Sequence, residues 1–75
     1  MSVKVKDIMD ITNFGTDFRF IKESYTEKDG YSYETVFDCS DEERTVTDEE
    51  FMKIREMEVV ELSTNMDVLE ITYKE

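Results

Sequence analysis

Apolar residues recur along this chain with two different periods, and the switches between them mark six elements. In VKVKDIMDITNFG, Val5, Ile8, Met9 and Thr12 fall at i, i+3, i+4 and i+7, a helical stripe that Lys4, Lys6, Asp7 and Asp10 largely avoid. Gly15 follows the last apolar residue, Phe14, where a left-handed residue can close a helix, so the pattern predicts a helix over about Val3 to Asn13. Val3 and Val5 also alternate, and a short opening strand is the alternative there.

The next two segments change period. TDFRFIKESY sets Phe18, Phe20 and Lys22 against Arg19, Ile21 and Glu23; YSYETVFDC sets Tyr31, Tyr33, Thr35 and Phe37 against Ser32, Glu34, Val36 and Asp38. Aromatic and β-branched residues dominate both, as half-buried strands require. Asp29-Gly30 between them tolerates positive φ and predicts a hairpin. A second helix starts at Thr47, because Thr47 and Glu50 have the spacing of a capping box and Val46 and Phe51 that of a hydrophobic staple. The tail MEVVELSTNMDVLEITYKE reads as a second hairpin with its turn in STNMD, Val60 and Leu62 sharing one face and Leu69, Ile71 and Tyr73 sharing another. The fold class that follows is α+β, order α-β-β-α-β-β, a single domain over residues 1–75. Two antiparallel hairpins form an antiparallel sheet with the helices packed on one face.

Composition sharpens this picture in two places. Seventy-five residues hold one small core, and a chain this size buries only about 60% of its unfolded surface. Nine aromatics and many β-branched residues still argue against disorder, despite a hydrophobic fraction of 39%. Twenty acids against nine bases give a net charge of −11, which repels nucleic acid and anionic membrane and favours basic partners or plain solubility. A single cysteine, Cys39, forms no internal disulfide and suits a reducing cytoplasm. Neither the opening MSVKVKDIMD nor any later stretch has the apolar run of a signal sequence or the roughly 20 residues of a membrane span.

Most catalytic chemistry lacks its residues. Without histidine there are no Ser-His or Cys-His pairs and no usual zinc ligand. Gly15 and Gly30 belong to no phosphate-binding motif. Cys39 sits beside Asp38 and Asp41, whose charge disfavours a thiolate, so it reads as buried or inert. DCSDEERTVTDEE has carboxylates but neither the central glycine nor the alternating spacing of a calcium loop. The expectation is a protein that is no enzyme and uses no cofactor and no metal.

What remains is charge. SDEERTVTDEEF carries six carboxylates in twelve residues, and ten acids against three bases lie between Asp38 and Glu61. Asp48, Glu49 and Glu50 are accounted for by the first turn of the second helix, where carboxylates offset the positive helix end. Asp41, Glu42 and Glu43 are not. Tyr25, Tyr31 and Tyr33 gather at the tip of the first hairpin, either as ordinary cross-strand pairs or as an exposed patch of the kind interfaces use.

VKDIMDIT, the strand TDFRFIKE after Gly15, and the closing EVVEL…DVLEITY together resemble short acidic proteins of phages and mobile elements in low-GC Gram-positive bacteria, a group that includes anti-CRISPR-type inhibitors. The resemblance implies an inhibitor that acts as a DNA mimic, occupying the basic nucleic-acid-binding surface of a host defence effector. Its candidate contacts are Asp38, Asp41, Glu42, Glu43, Asp48, Glu49, Glu50, Tyr31 and Tyr33. The other reading is a structural or adaptor domain, with pairing of edge strands into a homodimer an option, whose acidity serves solubility.

Overall fold

The computed structural model describes residues 2–12, 17–41, 43 and 45–74. Their order is α1 (Val5–Ile11), β1 (Asp17–Thr26), β2 (Gly30–Asp38), α2 (Asp48–Arg55), β3 (Glu58–Asn65) and β4 (Val68–Lys74). Both consecutive strand pairs are antiparallel, and the sheet order is β2-β1-β4-β3. The expected all-antiparallel sheet is corrected at its centre, where β1 and β4 run parallel, making the sheet mixed. Apolar content accounts for which strands are central. β1 carries Phe18 and Phe20 and β4 carries Leu69, Ile71 and Tyr73, so both take the central positions beneath the helices. The chain returns through α2 and β3 before β4 can lie against β1.

The core is Val5, Phe20, Ile54, Ile71 and Tyr73, with Ile8, Met9, Phe51 and Met57 of the helical side packed onto it. Phe20 is its hub, with ring centroids 5.4 Å from Phe37 and 6.0 Å from Phe51. Burying each large side chain contributes about 1.5–3 kcal/mol before entropy is counted. The helical stripe therefore does what its spacing predicts: Val5 is fully buried and Ile8 and Met9 are half-buried.

α1 is shorter than its sequence pattern. Val3 and Lys4 are extended, Val59 N donating to Val3 O at 2.7 Å and Lys4 bridging Glu58, so this segment lies against the outer edge of β3. The helix starts after Lys4, whose N–H donates to Asp7 Oδ2 at 3.0 Å. Gly15, proposed to end this helix, lies outside the described residues. α2 begins as predicted. Glu50 N donates to Thr47 Oγ1 at 3.1 Å and Thr47 N to Glu50 Oε1 at 3.3 Å, while Val46 and Phe51 both pack on the core.

Two bulges reassign side chains to faces. Phe20 pairs with Phe37 but Ile21 pairs with Thr35, leaving Val36 as an extra residue in β2. Strict alternation put Phe37 beside Tyr33. The bulge instead turns Phe37 into the core and brings Asp38 to the open face with Tyr33 and Thr35. In β3 the shift between Val59 and Glu61 does the same: Val59 and Leu62 share the helix-side face, opposite Tyr73 and Ile71, and the expected partnership of Val60 with Leu62 is corrected.

The turns differ in kind. Gly30 alone takes positive φ, +73°, in the first hairpin, and Asp29 N donates to Thr26 Oγ1 at 3.1 Å. The second hairpin has a two-residue loop, Met66 (φ 52°) and Asp67 (φ 68°), shorter than the predicted STNMD turn.

Candidate functional site

Because β1 and β4 are parallel, they begin at the same end of the sheet, where β2 also ends: Asp17 is level with Val68, and Arg19 with both Asp38 and Glu70. On the face away from the helices, a row of polar side chains crosses all four strands. Arg19 Nε donates to Asp38 Oδ2 at 3.0 Å, Arg19 Nη1 donates to Glu70 Oε2 at 2.7 Å, and Ser63 Oγ donates to Glu70 Oε1 at 3.1 Å. Ser40 closes the row from beyond β2, its N–H and hydroxyl donating to Asp38 Oδ1 at 3.0 and 2.7 Å.

These contacts fix the charge states. The Ser40 backbone and hydroxyl donors, then Arg19, hold the Asp38 carboxyl down at about 2. The Arg19 guanidinium lowers Glu70, and Glu70 and Asp38 together raise Arg19. Asp38 is thus a member of a structural ion pair, its side chain only 15% exposed, and its carboxylate is already engaged inside the protein.

Around this row stand further acids. Asp17 opens β1, and Asp67 lies in the turn before β4. Asp41 follows β2, its N–H bonded to Asp38 O at 3.0 Å, and Glu43 N–H is held by Asp41 Oδ1 at 2.9 Å. The strands therefore gather Asp17, Asp41, Glu43 and Asp67 at one end of the sheet, around Asp38 and Glu70. Arg19, the strand cation level with these acids, is consumed by two of them. Glu42 lies outside the described residues.

The other candidates are placed elsewhere. Glu50 is the reciprocal half of the α2 cap, and Glu49 reaches Lys53 at 4.0 Å along the same helix. Asp48, Glu49 and Glu50 thus serve the helix start first. Tyr31 and Tyr33 occupy the opposite end of β2, Tyr31 standing seven residues, or about 23 Å, from Asp38. The acidic run and the tyrosines are two surfaces.

Tyr25, Tyr31 and Tyr33 are all at least 60% exposed. Tyr25 and Tyr31 are cross-strand partners with ring centroids 5.0 Å apart, and Tyr33 is level with Glu23. Partial burial, then the Glu23 and Glu61 carboxylates, push the Tyr33 hydroxyl up. β4 pairs with β1 only as far as Glu23, so beyond it the β1–β2 hairpin projects as a two-stranded arm. A depression of about 480 Å³ lies at its base, lined by Lys22, Glu23, Ser24, Tyr25, Tyr31 and Lys74. Cys39, read from sequence as buried or inert, is exposed.

Sequence reasoning missed Asp17, Arg19, Asp67 and Glu70. Arg19 had a signal: it is a lone arginine at a strand position whose neighbours Phe18 and Phe20 point into the core.

No family model matches this chain, and no curated protein or solved structure is significantly similar to it. Among the described residues no group of three or more potential metal ligands is assembled, and no helix is long and apolar enough to cross a membrane.

Proposed function

We propose that this protein is a non-enzymatic binder of a basic protein surface, of the kind a nucleic-acid-binding effector presents, and that its carboxylates stand in for phosphates. The observation that carries this reading is the gathering of Asp17, Asp41, Glu43 and Asp67 at one sheet end, with the nearby Arg19 already neutralised by Asp38 and Glu70. Duplex DNA offers a charge about every 1.7 Å along its axis, so a surrogate needs several carboxylates held by a rigid frame. Here the parallel β1–β4 pair supplies the frame. An inhibitor of a host defence protein acts in this way. The surface resides in the sheet end rather than in the first turn of α2, whose acids are occupied with the helix.

The test is a titration against a basic nucleic-acid-binding protein captured from the source cell, repeated over a salt series and in competition with duplex DNA. Binding that weakens with salt and is displaced by DNA supports the reading. Asp17→Asn/Asp41→Asn/Glu43→Gln/Asp67→Asn should lower both the affinity and the steepness of its salt dependence. Affinity unchanged in that variant would refute it.

A further inference from the structure

The sheet has two edges, and they are treated differently. The edge of β3 is met at its start by Val3 and Lys4. Among the described residues the edge of β2 is met by no further strand. An edge of this length is normally blunted by lysine, proline or a bulge. β2 contains neither lysine nor proline, and its bulge at Val36 leaves the five residues Tyr31 to Thr35 regularly paired with β1 on the inner side.

Two occupants can add to such an edge, a second copy or another protein. Charge separates them. Glu34 is the fourth of these five residues, next to the central Tyr33, so an antiparallel second β2 centred on the stretch would bring the two Glu34 carboxylates onto one face, in chains that each carry −11. A basic strand meets the opposite situation. On one face its side chains fall beside Tyr31 and Tyr33, both exposed aromatic residues of the kind that attract cations, with Glu23 level with Tyr33. On the other face they fall beside Glu34. Of the nearby lysines on the sheet, Lys74 pairs with Glu58 at 3.6 Å, and Lys22, level with Glu34, offsets part of that carboxylate's charge, which leaves the tyrosine face as the main attraction.

Resting on the proposed binding of a basic partner, we infer that the edge of β2 from Tyr31 to Glu34 accepts an extended, arginine-bearing segment of that partner as an added strand, its cations lying over the exposed tyrosines. The sheet-end acids and this edge are then two contacts on one partner, one read by charge and one by backbone pairing.

The test uses the full chain, uniformly ¹⁵N-labelled, titrated with a ten-residue peptide of alternating arginine and valine. A second peptide of the same sequence carries backbone N-methyl groups at alternate positions on one edge. Saturable shifts of the Tyr31 to Glu34 amides, with affinity falling at least about tenfold on N-methylation, support strand addition. Tyr31→Ser/Tyr33→Ser should weaken the unmethylated peptide by about two- to fivefold per tyrosine, with an unchanged circular dichroism spectrum. Equal binding of both peptides, or shifts confined to the sheet-end acids, overturns this inference and leaves the proposed function standing. Failure of the peptide and of basic proteins alike removes both. Concentration-dependent dimerisation in sedimentation that shifts the same β2 amides assigns the edge to a second copy and overturns it as well.

Discussion

The β3–β4 turn offers a sharp test, because two residues other than glycine carry its whole reversal. Met66 and Asp67 both take positive φ, at 52° and 68°, the arrangement that two-residue hairpins reserve for Asn-Gly. A left-handed backbone costs an ordinary L-residue about 1–2 kcal/mol, and aspartate tolerates it better than methionine. Met66 recovers nothing in exchange, since its side chain is 92% exposed. Met66→Asn should therefore stabilise the protein by about 1 kcal/mol. Adding Asp67→Gly should bring the total to about 1–2 kcal/mol, glycine's greater freedom in the unfolded chain offsetting part of the gain. In a domain of this size each kcal/mol moves the melting midpoint by about 4–8 °C, well within reach of thermal and urea denaturation. The same pair also separates stability from binding. Asp67→Gly removes one of the sheet-end acids, so the double variant should melt higher yet bind a basic partner more weakly than Met66→Asn alone. A midpoint unchanged or lowered by Met66→Asn would refute the reasoning, showing that the turn is not strained as its φ angles require.

Two further outcomes are expected. Thr47→Ala should destabilise the protein by about 0.5–2 kcal/mol, because the Glu50 N–H loses its acceptor, whereas Thr45→Ala, which removes no helix cap, should cost less; comparison of urea midpoints decides this. Arg19→Met should lower the melting midpoint at neutral pH by an amount that shrinks as pH falls. The Ser40 donors and, after them, Arg19 depress Asp38 from 3.8 to about 2, and Arg19 is the first cause that lowers Glu70, so the share Arg19 supplies is present above the unfolded values and is lost as pH drops towards 2. Melting curves of both proteins from pH 7 to pH 2 test this, and a difference independent of pH would refute it.

How much of this was legible in the sequence follows from the range of each signal. The Thr47–Glu50 cap and the Val46–Phe51 staple span a few residues, and the structure places both as their spacing demands. The stripe of Val5, Ile8 and Met9 is equally local. The bulge at Val36 is not, because it belongs to the pairing of two strands and leaves YSYETVFDC alternating in sequence while Phe37 changes face. The site was hidden for the same reason. Asp17, Asp41 and Asp67 are far apart along the chain and come to one end of the sheet only through the β1–β2 and parallel β1–β4 pairings, which no periodicity records. Asp38 looked like one more member of an acidic run; its real partner, Arg19, lies nineteen residues earlier.

The parallel seam also governs how the chain assembles. Each hairpin closes a short loop, an event of about 1–10 μs, whereas Arg19 and Glu70 meet across 51 residues of sequence. Loop-closure entropy must be met before that pairing returns anything, so the seam is the slow step and sets a folding rate below that of either hairpin. The two halves consequently depend on each other: Phe20 lies on one side of the seam and Ile71 and Tyr73 on the other, and Phe20 is the one fully buried apolar residue that β1 and β2 contribute. In native-state hydrogen exchange the amides joining β1 to β4 should be the last to open, and they should all open together.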